Sequence, residues 1–134
     1  MDVHPHVLIV SPSPDLAEDL IAWVVPAGYR PSVATTFESA NRQLRTNPQI
    51  VITQLRLREY NGLHLAIRAR EAGIPAVVVG EADAVLERDA EQLGATFVKR
   101  DELEPGRMLA LLDNLLAPPY ADGDDSTAAA PSLI

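Results

Sequence analysis

The chain has 134 residues, one domain's worth, with 47% hydrophobic and 22% charged residues, the balance of a folded globular protein. It has no cysteine, which excludes disulfides and thiolate metal sites and makes a reducing cytoplasm the expected location. A net charge of −8 argues against a nucleic-acid backbone as partner, and no apolar run approaches the roughly 18 residues that would make a membrane one.

The N-terminus, Met1-Asp2-Val3-His4-Pro5-His6, lacks the basic region of a signal peptide, and residues 1–5 read as an extension. His6-Val7-Leu8-Ile9-Val10 then reads as a strand buried on both faces, ended by Ser-Pro-Ser-Pro. Ser13-Pro14 has the form of a helix cap followed by proline at the first helical position. Leu16, Ala17, Leu20, Ile21 and Val24 place an apolar stripe on that helix, and Gly28 ends it. Trp23 falls near the angular sector of Leu16, at the edge of the core.

Val33-Ala34-Thr35 is a short second strand. Thr35 to Glu38 has capping-box spacing and opens a helix through Phe37, Ala40 and Leu44, stopped by Asn47-Pro48. Gln49 to Thr53 is the third strand, and its loop closes at Asn61-Gly62. Leu63, Ala66 and Ile67 mark a third helix ended by Gly73. Pro75 to Val79 is the fourth strand, Asp83 to Leu93 a helix, and Thr96 to Lys99 the fifth strand. Asp101 and Glu104 repeat the capping spacing ahead of a helix striped by Met108, Leu111, Leu112 and Leu115.

Five strands alternating with five helices imply an α/β three-layer sandwich around a parallel sheet, with the flavodoxin-like order 2-1-3-4-5 favoured. The domain is expected over residues 6–116, and the composition of 117–134 reads as a disordered tail. In such a sheet the working site lies at the carboxyl ends of the strands, which directs attention to Ser11, Pro12, Gln54, Gly80 and Lys99.

Those positions carry a resemblance. Val7-Leu8-Ile9-Val10 leading to Pro14-Asp15, Ile50 to Leu57 with Gly62 eight residues after Gln54, Gly73 to Val79, and Gly94-Ala95 leading into Phe97-Val98-Lys99 resemble, in order, the receiver domain of bacterial two-component systems. The resemblance covers roughly residues 6–116. It implies a site where an acidic pair after the first strand and an aspartate ending the third hold Mg²⁺. A hydroxyl after the fourth strand and a lysine after the fifth contact the phosphoryl group.

The departures fall on those groups. Ser11 and Pro12 stand for the acidic pair, Gln54 for the acceptor and Gly80 for the hydroxyl, and only Lys99 remains. An amide is not nucleophilic and forms no acyl phosphate, so phosphotransfer, and enzyme activity generally, is not expected. Asp15 falls in the first helical turn, where an acid favours the dipole. Lys99 reads either as an anion-contacting cation or as a surface lysine bonded to Gln54, Ser11 or a loop carbonyl. Counting back from Lys99 puts Thr96, rather than an aromatic, at the family's switch position, with Phe97 as the alternative, because the preceding loop is about two residues shorter than the family's usual one.

No metal site is expected from His4, His6 and His64, and no cofactor, since neither a G-x-G-x-x-G nor a P-loop is present. Arg56, Arg58, Glu59 and Tyr60 form a candidate partner loop. The expected function is a phosphorylation-independent, receiver-like interaction module in two-component or phosphorelay signalling. Its partner, a signalling protein or second subunit, would dock on the fourth helix, fifth strand and fifth helix, the face that the resemblance implies. The alternative is a flavodoxin-like small-molecule binder using the pocket that Gly80 leaves open.

Overall fold

A computed structural model describes residues 4–57 and 62–116. Five strands, β1 (His6–Val10), β2 (Arg30–Ala34), β3 (Ile50–Gln54), β4 (Ala76–Gly80) and β5 (Thr96–Lys99), form one parallel sheet in the order β2-β1-β3-β4-β5. The helices between and after them are α1 (Pro14–Val24), α2 (Phe37–Gln43), α3 (Gly62–Glu71), α4 (Ala84–Gln92) and α5 (Pro105–Leu116). The flavodoxin-like order expected from the alternation is the order observed.

Parallel pairing requires every crossover to lie on a face of the sheet, so the central strands are buried on both sides. Val7, Leu8, Ile9 and Val10 are all fully buried. Their alternation divides the interior in two. Leu8, Val10, Val51 and Val78 pack toward Ala40, Leu65, Ala69 and Ala90 of α2, α3 and α4. Val7, Ile9, Ile52 and Val79 pack toward Leu16, Leu20, Met108 and Leu112 of α1 and α5. Trp23 is half-buried at the margin of this second core, as its angular position indicates.

The element ends show where local reading stopped. β3 and β4 each begin and end one residue later than expected, so Gln54 and Gly80 are the last residues of their strands. β2 begins at Arg30, three residues early. Its edge position admits Pro31, whose missing N–H costs no ladder bond there. Ser13 occupies the N-cap of α1 but makes no side-chain cap bond. Thr36, not Thr35, caps α2 by accepting from Ser39 N. Glu104, not Asp101, accepts from Gly106 N at the start of α5, while Asp101 lies in a 3₁₀ turn. Asp83 caps α4 through the N–H groups of Val85 and Leu86.

Two bonds tie distant segments together. Arg30 N donates to Pro5 O (2.8 Å), so the residues just before β1 are joined to the start of β2. The Tyr29 hydroxyl donates to Asp113 on α5 (2.7 Å). Burial first, then that hydrogen bond and the charge of Asp113, push the phenol up to about 12. Arg58–Asn61 and the expected tail at 117–134 lie outside the described residues.

Candidate functional site

Parallel strands deliver their carboxyl ends to one border, where Ser11, Gln54, Gly80 and Lys99 meet the loops to the helices. Ser11 follows β1 and is 1% exposed, and its N–H continues the sheet pairing to Ala34 O (3.0 Å). Its Oγ lies 2.7 Å from the Gln54 side-chain oxygen and 2.7 Å from Ser13 O, and Ser13 N donates to it at 3.2 Å.

A hydroxyl has one proton, so it cannot serve two acceptors fully. A half-turn of the Gln54 amide, which exchanges its oxygen and nitrogen, resolves the competition. Ser11 then donates to Ser13 O and accepts from both Ser13 N and the Gln54 amide. Every valence of the buried hydroxyl is used, and the β1 and β3 ends are joined without charge. Pro12, half-buried after Ser11, contributes no donor.

Gly80 does not leave an open pocket. A Cβ at that position would lie 2.8 Å from Leu55 Cβ, 2.9 Å from Leu55 Cδ2 and 3.3 Å from Phe97 Cζ. Leu55, 4% exposed, is held over the β4 end by its own N–H donating to Val79 O (2.7 Å). The expectation of ligand room beside Gly80 is therefore corrected, because an apolar side chain from the adjacent strand already fills it. What remains is a hollow of about 60 Å³ rimmed by Arg56, Glu81 and Arg100. That admits about two waters at ~30 Å³ each, against the roughly 300 Å³ or more of a small-molecule site.

The fifth strand separates Thr96 from Phe97. Thr96 pairs with Val77 and Phe97 with Val78, so their side chains leave opposite faces of the sheet. Phe97 packs with the α2–α4 core and reaches Gly80. Lys99 stands opposite Gly80 in register and is half-exposed. Among the described residues, Ser11 and Gln54 included, none accepts a hydrogen bond from its ammonium group. Ser11 and Gln54 are paired with each other instead.

Gly62 completes the corner. Its N–H donates to Leu55 O (2.6 Å), and a Cβ there would fall 2.5 Å from Gln54 O. Close backbone approach, rather than a turn, demands glycine at this spacing. Among the other candidates, Asp15 is exposed in the first turn of α1 and Arg56 is exposed beside the hollow. His6 is buried with Nε2 2.7 Å from Ser32 Oγ, and His4 Nδ1 is 3.1 Å from Gly28 O. Among the described residues no group of three His, Asp or Glu side chains is placed to hold a metal ion.

Sequence reasoning missed Leu55. Its signal, a large residue after Gln54 matched to a missing side chain at position 80, exists only across two strands.

Solved structures share this architecture. The signal receiver domain of a protein assigned as a Luxo repressor from Vibrio parahaemolyticus superposes with a TM-score of 0.78 at 22% identity, covering 85% of this chain and 91% of that one. A protein assigned as a response regulator from Chloroflexus aurantiacus gives 0.78 at 24%, covering 86% and 99%. Chemotaxis response regulator CheY4 of Vibrio cholerae gives 0.76 at 16%, covering 85% and 100%. The fold is that of receiver domains. No protein-family profile matches the chain, and no curated protein sequence does.

The Mg²⁺ that receiver chemistry uses requires anionic oxygens. Ser11, Pro12 and Gln54 offer a committed hydroxyl, a ring and an amide, and these residues do not fit such an ion. Among the described residues no helix is long and apolar enough to cross a membrane.

Proposed function

We propose that this chain is a receiver-like docking module of two-component or phosphorelay signalling that works without phosphorylation and without a catalytic step. The observation that carries the proposal is the Ser11–Gln54 contact of 2.7 Å. It joins the acceptor position of the receiver fold to the metal-binding position by a neutral hydrogen bond. The nucleophile, the metal ligands and the switch hydroxyl are replaced at one corner, and the freed volume is packed rather than open.

The receiver fold of ordinary members couples the acceptor to the α4–β5–α5 face through a mobile hydroxyl and aromatic. Here Leu55 and Phe97 close on Gly80 by apolar contact, which supports a single fixed state. In that state the α4–β5–α5 face would present a constant surface to a signalling protein or a second subunit. Val85 on α4, 62% exposed, is an apolar contact point on it. One structural neighbour, the beryllofluoride-activated NtrC4 receiver domain, is a dimer, which makes a second subunit a sensible partner to test.

The test is to incubate the protein with a small phosphodonor and Mg²⁺, then read intact mass, Trp23 fluorescence and the amide spectrum with and without beryllofluoride. The mass, fluorescence and spectrum should not change. An acyl phosphate, or beryllofluoride shifts spreading from Gln54 to α4, would overturn the reading.

A further inference from the structure

The surface charge of this acidic chain is unevenly placed. Arg42 ends α2, Arg45 lies in the following 3₁₀ turn, and Arg68 and Arg70 end α3. All four are exposed, and Glu71 is the one described carboxylate between Ser39 and Ala72. Elsewhere in the described residues acids outnumber bases thirteen to five. Helix dipoles alone do not explain the grouping. Cations favour any helix C-terminus, yet the last turns of α1, α4 and α5 carry none. The internal pairing is weak, since Arg68 meets Glu71 at 3.8 Å with both side chains more than half exposed.

Apolar hollows run alongside these charges. Between α3 and α4 lies a cavity of about 320 Å³ lined by Leu63, Ile67 and Leu93, with Ile67 38% exposed. It shares Leu93 with a second of about 330 Å³ lined by Ile74 and Pro75, with Arg70 on its wall. On the other flank of α3, a more polar hollow of about 410 Å³ is lined by Asn41, Arg45, Asn47, Arg68 and Glu71. The face thus offers an apolar trough with Arg70 on its wall, and across the ridge of α3 a polar hollow that carries Arg45 and Arg68.

We propose that this α2–α3 face is a docking surface for an acidic amphipathic helix of a partner protein. Such a helix would seat its apolar stripe beside Ile67 and Leu93 and point its carboxylates at Arg70 on the trough wall and Arg68 on the adjoining flank of α3. Helix-in-groove recognition uses this combination of apolar anchors and a complementary charged border. A polynucleotide or an anionic bilayer would extend beyond four arginines onto an acidic surface, whereas an amphipathic helix meets Asp89 on the trough wall with its apolar stripe and keeps its carboxylates on the arginine side. The face borders the α4–β5–α5 surface at α4, which lends Asp89 and Gln92 to the trough wall, but its test does not depend on the state of the Gln54 corner.

The test uses the full chain and three labelled probes. They are a designed helical peptide with leucine at i, i+3, i+4 and i+7 and glutamate elsewhere, a scrambled peptide of the same composition, and a single-stranded oligonucleotide. Fluorescence anisotropy at low salt should show binding of the amphipathic peptide, weakened by added salt. Arg68→Glu combined with Arg70→Glu should weaken it about tenfold or more, because reversed charges repel the probe. Ile67→Asp should also weaken it, and circular dichroism would establish that each variant is folded. Should a variant unfold, Arg68→Gln and Arg70→Gln give the same reading more gently. No binding, equal binding of the scrambled peptide, or tighter binding of the oligonucleotide would each overturn the proposal.

Discussion

The Leu55 side chain stands 2.8 Å from where a Cβ on residue 80 would be, so Leu55 and Gly80 form one packed unit across β3 and β4. Restoring a hydroxyl there must displace the leucine. Gly80→Ser is expected to destabilise the domain by about 1–3 kcal/mol through overpacking. Leu55→Ala in that background should cost less than Leu55→Ala alone, a coupling of about 0.5–3 kcal/mol measurable by a double-mutant cycle in denaturant.

Ser11 is the hub of the neutral corner, with its hydroxyl bonded on both sides and 1% exposed. Ser11→Ala leaves the Gln54 amide and the Ser13 N–H short of a partner. The expected loss is about 1–3 kcal/mol, read from the urea midpoint at unchanged slope.

Gly62 faces backbone, which cannot yield as a flexible side chain can. Gly62→Ala places a Cβ 2.5 Å from Gln54 O. A loss of about 3 kcal/mol is expected, at the top of the usual overpacking range. Equal stability of the variant in thermal and chemical unfolding would refute the close-approach account.

Tyr29 gives a pH signature. Its phenol is raised from 10.0 to about 12, by burial first and then by the bond to Asp113. Between these values the unfolded chain releases the proton and the native state keeps it. The contribution is therefore complete below pH 10 and lost as pH rises toward 12. Tyr29→Phe should cost about 1 kcal/mol at neutral pH and flatten the alkaline decline in stability, followed by thermal melts across pH.

The layout of the domain was legible because alternating periodicities leave few topologies. β1 and β5 coincide with the runs that marked them, since both are bounded by strong local signals. The ends of β3 and β4 are set instead by ladder bonds such as Leu55 N to Val79 O, which no local pattern reveals. The site positions were legible from the strand ends, and so was the neutrality of Ser11, Pro12, Gln54 and Gly80. Their relations were not. Gly80 reads alone as free space, and Leu55 fills it only because pairing in register brings the end of β3 beside the end of β4. Lys99 likewise has candidate partners in the chain order that the Ser11–Gln54 bond removes in space.

The two outer strands have a consequence for behaviour in concentrated solution. An open sheet ends in rows of unpaired N–H and C=O groups that can recruit another chain. β2 begins with Arg30-Pro31 and β5 is four residues long and ends in Lys99. Proline removes a donor from one border, and charge at both makes strand-by-strand growth unfavourable. Lys99 thus puts a charge at the end of a short outer strand, where charge discourages the addition of another chain.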